Sequence, residues 1–242
     1  MSAVASPQPY VFAPSRCGGL RMNLNGAAVT LRASGALWIE ASRMLVVADL
    51  HLEKGSAYAA RGQMLPPYDT RDTLRRLQAE AMATMPNAIV LLGDTFHDRR
   101  SEDRLAREDA EALRALAGFA RLVWVVGNHD ADGPQALPGE VRDEIAVDGL
   151  ILRHEPTHGA QPGEVAGHLH PCARVVASGG SVRRRCFVTD GERMVAPAFG
   201  AYAGGLNVRD EAFAGLFARQ PLCGALGAGR VHAVGWRSLA HD

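Results

Sequence analysis

The sequence predicts an α/β fold in which a β-α-β-α-β unit carries a second sheet packed on it. Three observations predict it. Apolar runs of strand length at Met44–Ala48, Ala88–Leu92 and Leu122–Val126 lack polar alternation, the mark of strands buried on both faces. Two amphipathic stretches of helical period separate these runs. Beyond about residue 150 the texture turns to short strands broken by Gly179-Gly180, Asp190-Gly191 and Gly204-Gly205.

Residues 1–15 hold three prolines and no periodicity, so they are expected to form a tail or edge segment. Ala28–Leu31 and Ala36–Ile39, split by Ser34-Gly35, read as a hairpin. Met44–Ala48 delivers Asp49 and His51 to its carboxyl end. Glu53–Pro67 is polar, irregular and long for a connection, which makes it a candidate functional loop. Asp69 or Thr70 can cap a helix to about Met85, with Leu74, Leu77 and Ala81 on its stripe. Ala88–Leu92 ends in Gly93-Asp94. Ser101 starts a helix expected to run to about Ala117, striped by Leu105, Ala112, Leu113 and Leu116. Leu122–Val126 ends in Gly127-Asn128-His129-Asp130. The second half predicts strands at Leu150–His154, Val165–His168, Ala173–Ala177, Arg184–Val188 and Met194–Ala198. A short helix near Asp210–Phe217 and a strand at Val231–Val234 close it. No linker divides the chain, so residues 1–242 are expected to form one domain, long enough for a sizeable core.

Composition excludes several classes. No apolar run approaches ~20 residues, the length needed to span a bilayer. The N-terminus lacks the basic start and apolar core of a secretory signal. Cys17, Cys172, Cys186 and Cys223 are irregularly spaced without a C-x-x-C pair, as expected of reduced thiols in a cytoplasmic protein. A net charge of zero argues against a protein that coats nucleic acid. Lys54 is the sole lysine, so arginine supplies almost all the positive charge.

Five short motifs carry the chemistry: Asp49-Leu50-His51, Gly93-Asp94, Gly127-Asn128-His129-Asp130, Arg153-His154-Glu155 and Gly167-His168-Leu169-His170. Each is weak alone. Together they place carboxylate, imidazole and amide oxygen at successive predicted strand ends, where ligands of α/β sheets collect. Converged, Asp49, His51, Asp94 and His170 would hold one ion, and Asp94, Asn128, His154 and His168 a second, with Asp94 bridging. Mixed nitrogen and oxygen donors suit Mn²⁺, Fe²⁺ or Zn²⁺ better than Mg²⁺ or Ca²⁺. Two such ions would activate a water to hydroxide and neutralise a phosphate ester. His129, beside Asn128, is placed to face the leaving group. Asp130 is expected to hold the His129 ring through its second nitrogen. His97 and Asp98 follow Asp94 without being assigned as ligands.

This order of blocks resembles the calcineurin-like metallophosphoesterase superfamily across about Met44 to His170. The resemblance implies a two-sheet αββα sandwich, a dimetal centre with the ligands above, and His129 as the catalytic histidine. Further blocks, Ala48-Asp-Leu-His-Leu-Glu-Lys-Gly55, Leu65-Pro-Pro-Tyr-Asp-Thr70, Gly93-Asp-Thr-Phe-His-Asp98, His154-Glu-Pro156, Gly167-His-Leu-His-Pro171 and Pro197-Ala-Phe-Gly200, are similar to the bacterial ligase-associated DNA damage response endonucleases. That similarity implies manganese-dependent cutting of DNA in repair, with single-stranded or flapped substrate expected. It also implies functional association with a DNA ligase, a helicase and a nuclease. The fourth block reads Arg153-His154 where many superfamily members have Gly-His.

The residues themselves support DNA less directly. Lys54, Arg61, Arg99 and Arg100 fall near the motif loops and are candidate phosphate contacts. Arg71, Arg75 and the cluster Arg183-Arg184-Arg185 add basic charge, and Tyr68 and Phe96 are candidate stacking platforms. A small-molecule phosphodiesterase or phosphatase, acting for example on cyclic nucleotides, would share the same metal site. An open basic groove would favour the polymer, and a closed pocket the small molecule.

Overall fold

Eight strands follow one another across the first sheet in chain order: β1 (Ala13–Pro14), β2 (Leu20–Leu24), β3 (Ala27–Leu31), β4 (Leu37–Ile39), β5 (Met44–Ala48), β6 (Ala88–Leu92), β7 (Arg121–Val125) and β8 (Glu140–Arg142). The coordinates are a computed structural model, which describes residues 12–177 and 179–242. β1 to β5 pair antiparallel, and β5 to β8 pair parallel. The expected hairpin is β3–β4. Of the expected tail or edge segment, residues 1–11 lie outside the described residues, and Ala13–Pro14 form the short edge strand.

Helices α1 (Lys54–Ala59), α2 (Asp69–Thr84), α3 (Ser101–Arg104) and α4 (Arg107–Phe119) lie in the crossovers between the parallel strands. The apolar pentads are buried on both faces because each face meets a different layer. Val46, Val90, Leu92, Val123 and Val125 point between the sheets. Their neighbours Leu45, Val47, Ile89, Leu91, Leu122 and Trp124 meet Leu74, Leu77 and Ala81 of α2 and Leu113 and Leu116 of α4. Each fully buried aliphatic side chain contributes ~1.5–3 kcal/mol.

The second sheet comprises β9 (Glu144–Val147), β10 (Leu150–Arg153), β11 (Glu164–Ala166), β12 (Cys172–Ala177), β13 (Gly180–Thr189), β14 (Met194–Val195), β15 (Leu222–Gly227), β16 (Arg230–Gly235) and β17 (Leu239–Ala240). Its main path runs β16-β15-β13-β14-β11-β10-β9, with β12 and β17 attached beside β13. Leu150, Leu152, Val165, Phe187 and Met194 close the core between the sheets. The two-sheet α/β sandwich is therefore present. Over the outer face of the second sheet the covering layer is thin, with Val208, Phe213 and Leu216 packed on Val188, Val195 and Cys223.

Three expectations need correction. Glu53–Pro67 is not wholly irregular, because α1 begins at Lys54. The helix expected over Ser101–Ala117 is two helices, broken where Leu105 and Ala106 are extended. Glu108 and Asp109, inside the expected helix, are in fact the acidic first turn of α4, where the helix dipole favours them. The helix expected at Asp210–Phe217 shrinks to a 3₁₀ turn at Glu211–Phe213, capped by the Asp210 side chain. β2, β8, β9, β15 and β17 were not anticipated, although Leu20, Met22 and Leu24 alternate buried with exposed Arg21 and Asn23.

Candidate metal centre

Parallel pairing sets the carboxyl ends of β5, β6 and β7 side by side, with Ala48 opposite Leu92 and Leu92 opposite Val125. Asp49 and His51 leave β5, Asp94 leaves β6, and Asn128 and His129 follow β7. From the second sheet, His154 leaves β10, and His168 and His170 follow β11. The two sheets thus converge on one rim.

Three overlapping clusters form there: Asp49, His51 and His170; His51, Asp94 and His129; Asp94, His154 and His168. Asp94 belongs to two of them, which is the position a bridging carboxylate needs. Its Oδ1 lies 3.4 Å from His154 Nε2, and its Oδ2 lies 4.0 Å from His51 Nε2 and 3.9 Å from His129 Nε2. His51 Nε2 and His170 Nε2 face each other at 3.1 Å, and His168 Nδ1 and His154 Nε2 at 3.2 Å. Two nitrogens at ~2.0–2.1 Å from one tetrahedral ion are about 3.3 Å apart. The donor set and its spacing therefore fit divalent ions. Asn128 is exposed and lines an open depression with His154, Asp143, Glu144 and Arg153.

The backbone is bent to bring these groups in. Asp49, His51, Asp94, His168 and His170 all have positive φ, between 45° and 66°. Non-glycine residues avoid this region unless the surroundings enforce it, and such strain gathers at functional sites. Here the enforcing bonds are visible. Asp49 N donates to Gly93 O, and His51 N donates to Asp94 O at 2.9 Å. The Asp49 carboxylate accepts from His168 N at 3.0 and 3.1 Å, tying the two sheets together. Gly93 cannot be replaced, because a Cβ there would stand 2.2 Å from His154 Nδ1.

Burial and charge then tune the donors. Burial, followed by the charge of His170, pulls His51 down to about 3. Among the described residues its Nδ1 has no hydrogen-bond partner. Burial alone would raise Asp94, but the hydrogen bond and charge of His154 bring it well below the usual carboxylate range. Burial opposes the proton on His154, yet Asp94 and Asp49 raise it above the ordinary imidazole value.

His129 Nδ1 lies 2.7 Å from the His97 carbonyl, which can only accept, so Nδ1 carries the proton and Nε2 turns toward Asp94. The His97 and His129 rings stack at 5.6 Å. This corrects the role expected of Asp130. Its Oδ2 accepts from Thr95 N and Phe96 N and its Oδ1 from Gly127 N, so it braces the loops that follow β6 and β7. Burial raises the Asp130 carboxyl. His97, left unassigned from sequence, is the residue that orients His129. A backbone carbonyl leaves no signature in a sequence.

Lys54 on α1 and Arg61 just beyond it lie near enough to His97 to push its imidazole down, after the larger effect of burial. Arg99 lines a cavity of about 440 Å³ with Asp98, Asp130 and Gln135, and Arg100 is exposed beside it. Phe96 is not a free stacking platform, since it is buried and stacks on Trp124 at 6.0 Å. Tyr68 is exposed. Arg71 pairs with Asp109 at 3.6 Å. The four cysteines are free thiols, and all but Cys17 are buried. Among the described residues, no helix is long and apolar enough to cross a membrane.

A two-sheet α/β sandwich with carboxylate and imidazole clusters at its strand ends is the architecture of a metallohydrolase. The chain belongs to the calcineurin-like phosphoesterase family, whose model matches residues 42–180. Among solved structures it is similar to the nuclease MPE of Pseudomonas putida, with 29% identity over 93% of this chain and 100% of that one, at a TM-score of 0.66. Yfce, a phosphoesterase from E. coli, aligns at 15% identity over 79% of this chain and 98% of that one, at a TM-score of 0.38. No curated protein matches the chain.

Proposed function

We propose that the protein is a metal-dependent phosphodiesterase that hydrolyses DNA, acting on single strands as an endonuclease in repair. The observation that carries this reading is the set of three overlapping clusters, joined through His51 and Asp94, on an open rim. The family supports phosphoester hydrolysis, and a nuclease similar over almost the whole chain supports a nucleic acid substrate. The metals of choice are two divalent ions, Mn²⁺, Fe²⁺ or Zn²⁺ by their mixed imidazole and carboxylate donors, with manganese first because the sequence resembles the ligase-associated endonucleases. Asp49, His51, Asp94 and His170 would hold one ion, and Asp94, Asn128, His154 and His168 the other. Bound there, the ions supply Lewis acidity that acidifies water and offsets phosphate charge.

The chain's own residues do the rest. His129 Nε2 faces the cluster from an exposed ring, so it can give a proton to, or hydrogen-bond, the oxygen that departs. The His97 carbonyl keeps that ring in one tautomer. Lys54 and Arg61, which act on His97, and the exposed Arg99 and Arg100 would grip phosphates along a strand. The depression beside His154 is open rather than closed over, which favours a polymer above a small nucleotide. The sequence resemblance to the ligase-associated endonucleases supports a functional association with a ligase, a helicase and a nuclease, and the free cysteines support a cytoplasmic setting.

The test is cleavage of circular single-stranded DNA by metal-stripped protein with manganese added back, beside His129→Ala. A circle has no ends, so linear product made by wild type alone is the expected result. An intact circle, with a small phosphodiester hydrolysed under the same conditions, would overturn the DNA reading and leave a small-molecule phosphodiesterase.

A further inference from the structure

Residues 198–205 form a strap between the two motifs richest in ligands. Phe199 N donates to Ala48 O at 2.7 Å, and Gly200 N donates to Asp49 O at 3.1 Å. At the other end Gly205 lies so close to the His170 carbonyl that a Cβ would stand 2.1 Å from it.

Two arginines hold this strap by its carbonyls. Arg76, on α2, donates to Phe199 O and lies 4.7 Å over the Phe199 ring. Arg185, on β13 opposite Cys172, donates from Nη1 to both Ala198 O and Gly200 O at 2.9 Å. Both are half-buried. Among the described residues, no carboxylate lies within 4 Å of either guanidinium, although Asp72, one turn before Arg76, acts on it from further away. Burial and then the charge of Arg185 pull Arg76 down to about 10, so both stay charged at neutral pH.

A guanidinium has five N–H donors, and these two spend few of them on the strap. None of their nitrogens is among the sealed, unpartnered atoms of the described residues, unlike the Nε atoms of Arg153, Arg193 and Arg209. Two like charges, partly desolvated and close enough to act on each other, with only the more distant Asp72 opposing them among the described residues, are costly unless an anion joins them. Fastening carbonyls does not need a pair of charges. Arginine presents the fork that matches phosphate oxygens. The anion that arrives tethered to a phosphodiester at the metal centre is the next phosphate of the same strand.

We infer that Arg76 and Arg185 form an anion subsite on the Asp49 and His170 side of the metal centre, taking a backbone phosphate that flanks the scissile one. This rests on the DNA reading above. It makes the enzyme count charge along the strand, with two arginines outside the metal cluster setting the affinity.

The test uses short single-stranded oligonucleotides whose linkages are neutral methylphosphonates except for one phosphodiester. A second set restores one more phosphate, one or two positions to either side. For wild type, restoring the phosphate at one position should lower KM about tenfold, the size of a charge-assisted hydrogen bond, with little change in kcat. In Arg76→Met and Arg185→Met that ratio should collapse toward one. No gain in wild type at any position overturns the subsite without any variant being needed. A ratio that persists in both variants, with kcat lowered on every substrate alike, also overturns it and leaves the arginines as fasteners. If no oligonucleotide is cut while bis(p-nitrophenyl) phosphate is hydrolysed, the DNA reading itself has failed, and the subsite with it.

Discussion

His129 offers one ring nitrogen to the metal centre because the His97 carbonyl occupies the other. Asp94 has the opposite task, offering both oxygens to neighbouring imidazoles. The two residues should fail differently. His129→Ala should keep both ions and lose ~10²–10⁴-fold in rate, the usual loss of a general acid. Asp94→Ala should lose metal at both positions, because Asp94 is the carboxylate shared by two of the clusters, whereas Asp49, 3.4 Å from His170 Nε2, meets His154 only at Nδ1, at 3.6 Å. Metal analysis of the purified variants beside their rates separates the two. Two ions retained by Asp94→Ala would sink the bridging role, and near-wild-type activity of His129→Ala would sink the acid role. The candidate ligands Asp49, His51, Asp94, His154, His168 and His170 were legible in sequence because candidacy is a matter of side-chain type, and the fold brings them together. The left-handed backbone under five of them was not. Nor was the true work of Asp130, since bracing three amides depends on loops whose paths no local pattern encodes.

Strands and helices were legible where one face decided them. The pentads β5, β6 and β7 and the stripe of α2 declared themselves by period. The break between α3 and α4 did not, because its cause is tertiary. Arg104 closes a knot, donating to the Asp98 carboxylate at 2.9 Å, to Ser101 and, across to α1, to Ser56 Oγ at 3.0 Å. Burial would raise Asp98, and the Arg104 bond draws it below its ordinary value. This knot holds the loop carrying Phe96, His97 and Asp98, and so holds the carbonyl that orients His129. Arg104→Met should therefore cost ~1–3 kcal/mol, the range for stranding partly buried polar partners. It should also lower kcat, since His129 loses its orienter. Denaturant unfolding gives the first quantity and steady-state kinetics the second. A destabilised variant with unchanged kcat would show that the knot supports the fold alone.

At the scale of the whole molecule, the sheets meet in two places, the apolar core and the metal rim. The clusters of Asp49, His51 and His170 and of Asp94, His154 and His168 each draw donors from both sheets. Metal should therefore staple the sandwich as well as arm it. An ion that binds only the folded chain adds ~2.7 kcal/mol at a hundredfold excess over its Kd. For a chain of this length each kcal/mol moves Tm by roughly 2–4 °C, so one filled site is worth about 5–10 °C at that excess. The pH dependence follows from the two shifted imidazoles. His154 in the metal-free protein is raised, so its protonated form stabilises the fold below ~6.5, and that contribution is lost as pH rises through its folded value. Metal needs the same ring neutral, so the stabilisation by metal is full at alkaline pH and fades as pH falls through that raised value. His51, held down to about 3, works with metal throughout that range, but the unfolded chain takes up its proton below ~6.5. The metal-free fold accordingly weakens on that account between pH ~6.5 and 3. Thermal unfolding at pH 8, 6.5 and 5, with manganese and with chelator, measures both effects at once. The gap between the two curves should be widest at pH 8 and nearly closed at pH 5. An equal gap at both ends would mean that the ions do not compete with the His154 proton, and that His154 is not a ligand.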